Sequence, residues 1–405
     1  MEELIPAAAT ISREEVKGRV ARLAGQLAAR GLKGAVVWSN GATSYDYYAD
    51  VYYLTNHHAT TPHIVERPGW EGVGRCAVVV TADGKSVLVS SSNEHADDDI
   101  VADDVRYNWN LPEAIAGILR EHGLERARIG LIGRDALLYY NQVSLQERIG
   151  ADCVFVPADE LLDDLRSVKS AAELDRMRYA GKVGARWMHT MMQACREGAT
   201  EASVVADGLH NMVRAGGMIY DVGIASGPYA SFGRGSGRVP HWNWTRKFER
   251  GDLVRCDAWG PVDGYYTDLM RSTVVGGKAT ADQRRILDGS VELVRAIAAA
   301  VKVGGTFDDL YRTGIEWLNE NDLAPRKRLD GSDAFQCFGH GIGVNIERAH
   351  IVPGDVTEIR AGMVLAIEAA IALPGVGAAG YEDNFIVHDG SVENLTAECP
   401  AISWE

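Results

Sequence analysis

The sequence predicts an α/β chain of two domains: an α/β domain over residues 1–160 and a larger α+β domain over residues 161–405. Length is the first reason, since 405 residues exceed one ordinary core. The second is the apolar pattern between Arg13 and Val156, which switches repeatedly between helical and strand periods. The third lies beyond Pro157, where two long helical stripes each accompany a pair of β-prone runs flanking a Gly/Pro turn.

Taken in order, residues 1–12 form a leader. From Arg13 to Arg30, Val16, Val20, Leu23, Leu27 and Ala28 fall at helical spacing, and Gly31 supplies a stop. Gly34–Trp38 reads as a buried strand, and Cys76–Thr81 and Ser86–Ser90 follow as strands around an Ala-Asp-Gly turn. A helix over Leu111–His122, a strand over Arg128–Ile132, a helix over Asp135–Ile149 and a strand over Asp152–Val156 complete a mixed sheet covered on its faces. Between the first two strands, Val51–His63 reads as a polar loop bearing His57, His58 and His63, imidazoles suited to metal or substrate. In the second domain, Leu174, Met177, Val183, Trp187, Met188, Met191 and Met192 mark a core-packing helix over Ala171–Cys195. A second helix, Thr280–Lys302, turns Ile286, Val291, Val294, Ile297 and Val301 inward.

Composition narrows the function. The net charge is −15 with no basic run, a poor match to nucleic acid or an anionic membrane. The start has neither a basic n-region nor an apolar h-region, and no apolar run reaches transmembrane length, so the expected compartment is the cytoplasm. Six scattered cysteines form no Cys-x-x-Cys pair, which argues against a zinc ribbon or disulfide scaffold. Cys256 adjoins Asp257 but points to the opposite face of its strand.

The chemistry sits in the two hairpins. Residues 253–271 read Leu-Val-Arg-Cys-Asp-Ala-Trp-Gly-Pro-Val-Asp-Gly-Tyr-Tyr-Thr-Asp-Leu-Met-Arg. Folded symmetrically between Val262 and Asp263, this hairpin brings Asp257 opposite Asp268, with Cβ atoms about 5 Å apart. Carboxylates that close repel unless a proton or cation lies between them. In Met363–Val387 the midpoint between Glu368 and Glu382 is Gly375, inside a Pro-Gly-Val-Gly turn, so a second pair forms. His340 lies between the hairpins in Phe-Gly-His-Gly-Ile-Gly. Four carboxylates and one imidazole suit Mn²⁺, with Co²⁺, Zn²⁺ or Fe²⁺ as alternatives, and shared carboxylates can bridge two such ions.

The order Asp257, Asp268, His340, Glu368, Glu382 resembles the ligand set of the M24 metallopeptidase family, which has the pita-bread fold and includes methionine aminopeptidase, aminopeptidase P and prolidase. Ile224-Ala-Ser-Gly-Pro, His241 followed by Gly251-Asp-Leu-Val, and Leu165-Arg-Ser-Val-Lys-Ser are similar to further family segments. The first domain resembles the N-terminal domain of the prolidase and creatinase branch. The resemblance implies a dinuclear metal hydrolase using a metal-bridged hydroxide. Asp268 and Glu382 would bridge, Asp257 would complete one metal, and His340 and Glu368 the other. It also implies that Glu368 moves the proton from water to the leaving amine, and that His241 contacts substrate. Dimeric relatives reach the partner's site with a loop of the first domain, which makes His57 and His58 candidate substrate contacts and a homodimer the expected assembly.

Three departures bear on the substrate, a small molecule or short peptide. Glu347 stands where peptidase members place a second His, with His350 three residues on; Gly380 replaces an Arg two residues before Glu382; and Ala-Ala follows Glu368 in place of Pro-Gly. The expected reaction is hydrolysis of an amide or related C–N bond, resembling that of an Xaa-Pro peptidase. The alternatives are creatinase-like hydrolysis of a small cationic substrate, or elimination as in members resembling the dimethylsulfoniopropionate lyase. Those lyases carry a second Asp where this chain has Trp259. Trp242, Trp244, Trp259 and Tyr229 gather around the site in sequence, and their ring faces suit cationic or planar groups as well as core packing.

Overall fold

The computed structural model describes residues 10–41, 48–93, 99–227, 230, 242–323 and 337–401. The chain divides into two compact units, Thr10–Arg166 and the residues from Ser167 onward. In the first unit, α1 (Arg13–Ala29) starts at Ser12, whose hydroxyl accepts from Glu15 N–H, and it buries Val16, Val20, Leu23 and Leu27. There follow β1 (Gly34–Asn40), α2 (Ala49–Thr55), β2 (Arg75–Thr81), β3 (Ser86–Ser90), β4 (Asp104–Tyr107), α3 (Leu111–Glu121), β5 (Arg128–Ile132), α4 (Tyr139–Ile149), β6 (Val154–Pro157) and α5 (Asp159–Ser167). The sheet is mixed, in the order β4-β3-β2-β1-β5-β6, with β1 antiparallel to β2 and parallel to β5.

Two expectations change here. The start of the Val51–His63 segment is helical, because Thr55 Oγ1 donates to Val51 O and Asn56, at φ 57°, ends α2 with a left-handed residue. Helix α4 begins at Tyr139, four residues later than the pattern predicts. The carbonyl of Gly133 accepts from both Ala136 and Leu137 N–H, which holds the intervening residues in turns.

The second unit contains α6 (Ala171–Ala194), α7 (Glu201–Arg214), β7 (Asp221–Ser226), β8 (Leu253–Val262), β9 (Tyr265–Val274), α8 (Ala281–Ala300), α9 (Phe307–Glu320), β10 (Gly339–Ile342), β11 (Ile346–His350), β12 (Val364–Leu373), β13 (Gly377–His388) and β14 (Ser391–Asn394). Each of its helices opens with a reciprocal capping box: Ser170/Glu173, Thr200/Ser203, Thr280/Gln283 and Thr306/Asp309. The strands form one sheet β7-β8-β9 and another β11-β10-β12-β13-β14. Helix α6 packs on β8 and β9, and α8 on β12 and β13, so each long helix backs one hairpin. Gly184 permits the first contact, since a Cβ there would collide with Thr267 and Leu269. The core behind the second hairpin is apolar, with Ile286, Val294, Ile297, Leu365 and Ile367 all buried. Among the described residues no helix is long and apolar enough to cross a membrane.

Candidate metal centre

The first hairpin turns through Asp263 and Gly264, at φ 48° and 82°. Positive φ at both central residues is the two-residue turn that matches strand twist, and Asp-Gly favours it. It makes Val262 the partner of Tyr265, which in turn pairs Trp259 with Asp268 and Asp257 with Met270. The expected direct opposition of Asp257 and Asp268 is thus corrected: the two are diagonal neighbours, displaced by two residues. An even displacement keeps both on one face, at a Cα spacing of about 7–8 Å. Arg176 fastens the turn, donating to the Asp263 carbonyl at 2.7 Å and lying 3.1 Å from its carboxylate.

In the second hairpin Glu368 pairs directly with Glu382, as the spacing predicts. His340 pairs with Ala366 on β12, so its ring shares a face with Glu368 two residues on. The hairpins are joined by Asn384, a fully buried residue two positions beyond Glu382. Its side-chain oxygen accepts from Asp268 N–H at 3.1 Å, and its amide nitrogen donates to Asp268 O at 2.6 Å. On the opposite face Arg271 donates to Asp383 at 2.6 Å and to the Cys399 carbonyl, and lies 3.9 Å above the Tyr381 ring.

Ligand atoms of Asp268, His340 and Glu382 all lie within 4.8 Å of one another, and the three residues are buried. Asp257 and Glu368 lie outside that tight group, but their charges reach Glu382. Burial first, then the charges of Asp268, Glu368 and Asp257, hold the Glu382 carboxyl well above the usual range. For His340, burial works to lower the pKa, but the Asp268 hydrogen bond and the charges of Asp268 and Glu368 outweigh it and push the ring up to about 9. With its proton on Nδ1, His340 donates to Gly341 O at 3.0 Å, leaving Nε2 3.5 Å from Asp268 Oδ2. A carboxyl raised by burial and by the charges of its neighbours, beside an imidazole whose Nε2 faces Asp268, fits a divalent cation of oxygen and nitrogen preference.

Of the other predicted residues, Trp259 and His350 lie beside the centre and the other described ones do not share its strand pairings. Trp259 is directly opposite Asp268 and stacks on Tyr220 with ring centroids 6.0 Å apart. Glu347 is buried on β11, where Oε2 accepts from the buried Lys169 ammonium at 2.8 Å. Its side chain lies over Gly341 and Gly343, positions at which a Cβ would press on it. His350 pairs with His340, ring centroids 5.7 Å apart. His57 and His58 belong to the first unit: His57 is buried with Nε2 2.9 Å from Ser90 Oγ, and the exposed His58 meets the edges of Tyr48 and Tyr52. Trp242 is half-buried and Trp244 exposed, while His241 and Tyr229 lie outside the described residues. Sequence reasoning gave no role to Asn384, Lys169 or Arg176; Asn384 carried a signal in the period-two step from Glu382 that puts it on the same strand face, and Lys169 in its place within the family-like segment at 165–170.

Residues 175–389 match metallopeptidase family M24, and residues 19–168 match the creatinase/prolidase N-terminal domain. An Xaa-Pro dipeptidase of Pyrococcus furiosus is 27% identical over 269 residues, 65% of this chain and 73% of that one. A creatinase of a Bacillus species is 24% identical over 419 aligned positions, 96% of this chain and 92% of that one. The prolidase of Pyrococcus horikoshii OT3 has the same fold, with a TM-score of 0.76 at 19% identity, covering 95% of this chain and 99% of that one. The facing hairpins backed by helices are therefore the pita-bread fold, and the chain belongs to metallopeptidase family M24, a family of hydrolases.

Proposed function

We propose that the protein is a dinuclear-metal hydrolase that cleaves an amide bond in short peptides or peptide-like small molecules, in the manner of an Xaa-Pro peptidase. The observation that carries this reading is the convergence of Asp268, His340 and Glu382 within 4.8 Å, with Glu368 across the strand from Glu382. Asp268 and Glu382 would be shared between two cations, Asp257 serving one of them and His340 with Glu368 the other. Manganese suits the oxygen-rich set best. When bound, the metals would lower the pKa of a water into the neutral range and polarise the scissile carbonyl.

The remaining work falls to side chains. Glu368 takes the proton of the attacking water and returns it to the leaving amine, a role its place beside the shared carboxylates favours. Asn384 and the hairpin ladders hold the acids at fixed spacing, so no reorganisation is needed during reaction. Trp259, Glu347 and His350 would contribute substrate contacts, and His241 is added to them by the family resemblance alone. The relatives' names support a short peptide as substrate, an Xaa-Pro dipeptide being the first to assay. A homodimer is part of the same reading, supported by the exposed Trp70 and Trp109 of the first unit; light scattering should give twice 43.9 kDa.

The test is metal content per chain after Mn²⁺ loading and dialysis, with released amine followed on dipeptides. Two equivalents retained, and a fall in kcat of about 10²–10⁴ in Glu368→Gln, are expected. Failure to retain any divalent metal would sink the reading.

A further inference from the structure

In the three-stranded sheet, the row that passes through Asp268 of β9 continues through Trp259 of β8 to Asp221 of β7. Directly opposed residues of an antiparallel pair point to one face, with Cβ atoms about 5 Å apart. The Trp259 indole therefore stands beside the Asp268 carboxylate, and Asp257, two residues before Trp259, shares the face. Other rings hold the indole there. It stacks on Tyr220 with centroids 6.0 Å and planes 26° apart, and Tyr220 in turn meets the buried Tyr266 at 5.9 Å. The main chain fixes the same cluster: Tyr220 N–H donates to Trp259 O at 2.9 Å, and Tyr266 N–H donates at 2.7 Å to the carbonyl of Gly343, just beyond the strand of His340. Trp259 is 7% exposed. With one face on Tyr220 and so little surface open, it offers a substrate no ring to stack on. What it supplies is bulk, set directly against a ligand residue.

In the hydrolase reading, on which this inference rests, the scissile carbonyl lies at the metals and Glu368 of β12 returns the proton to the leaving amine. The amine side of the substrate then lies toward the second hairpin, and the acyl side toward the first, where Trp259 stands. A wall of stacked rings on paired strands yields only by forcing side chains off their rotamers, so exclusion by it is steep. We propose that Trp259 is the specificity-determining residue for the acyl group, and that the space it fills restricts this group to small side chains. The substrate class would then be dipeptides and related amides whose N-terminal residue is glycine or alanine in size, with bulky side chains confined to the amine side.

The test uses manganese-loaded protein and two dipeptide isosteres, Gly-Ala and Phe-Ala with the scissile amide reduced to CH₂–NH, so that binding is read without turnover. Calorimetry compares them on wild type, Trp259→Phe and Trp259→Ala, with melting temperature and metal content checked for each. Wild type is expected to bind the Gly compound at least about tenfold more tightly than the Phe compound, a discrimination within reach of an apolar pocket wall. The ratio should fall in Trp259→Phe and come within about threefold of unity in Trp259→Ala, through tighter binding of the Phe compound. Equal affinity for the two compounds in wild type, or a ratio that neither substitution changes, would overturn the assignment. Weakening of both compounds alike leaves the ratio unchanged and counts against it, because that is what a purely structural indole predicts. If Trp259→Ala does not fold, Trp259→Phe decides by the same ratio. Amine release from the parent dipeptides is followed in parallel. Its absence in wild type would end the hydrolase reading, while the binding ratio still decides Trp259.

Discussion

At the scale of single residues, the centre is organised by a carboxyl that resists ionisation in the metal-free protein. The pKa of Glu382 is raised by burial and by three neighbouring acids, so the folded metal-free state is penalised progressively as pH climbs above the ordinary 4.5 of a glutamate. Glu382→Gln removes that penalty together with a ligand charge. In chelator at pH 8, urea denaturation should find the variant more stable than wild type by about 1–2 kcal/mol. The same variant should fail to retain Mn²⁺ and lose activity, because a neutral amide is a poor bridging donor. A variant less stable than wild type without metal would mean that the acids are not in repulsive contact.

Elements set the distances between these residues. Asp268 has its main-chain N–H and C=O bonded by one side chain, Asn384, which bridges β9 to β13 where strand pairing does not. Truncation in Asn384→Ala strands two buried backbone groups, and about 2–3 kcal/mol of stability should be lost, with metal affinity falling about 10- to 100-fold. Behind the same hairpin, α6 approaches so closely that Gly184 has no room for a methyl group against Thr267 and Leu269. Gly184→Ala should therefore destabilise by about 1–3 kcal/mol despite its better helix propensity. Denaturation midpoints of the two variants, compared with metal retention, separate a packing defect from a displaced ligand.

For the molecule as a whole, pH stability also depends on how the last strand is tied to the long helix. Glu393 of β14 accepts from Arg178 of α6 through both oxygens, at 2.8 and 2.9 Å, and from His388. The Arg178 hydrogen bond is the main cause holding Glu393 down at about 2, against an ordinary 4.5. A depressed carboxyl contributes stability that is present above the ordinary value and is lost as pH falls toward the lowered one. The pair is about one-third exposed, so solvent screening limits its worth to about 1 kcal/mol. Glu393→Gln should cost that much at pH 7, and the gap to wild type should close as pH drops from 4.5 toward 2. A gap that persists in acid would assign the effect to packing.

The second acid pair was legible because its turn is symmetric about Gly375, and the helices because their caps and apolar stripes are local. The first pair was legible as to face but not register: the Asp263-Gly264 turn, not the centre of the Gly-Pro run, determines which residue meets Asp268. The fate of His57 was hidden because a polar run carries no sign that Ser90, on another strand, will receive its ring inside the unit. The sequence by itself determined the family, the two-unit organisation and five candidate ligands, since alternation along a strand puts side chains on a face whatever the surroundings. Only the tertiary structure decided how the two hairpins meet, through Asn384, and which side chains occupy the space that Gly380 leaves open. Those contacts join residues more than a hundred positions apart, and no local periodicity encodes them.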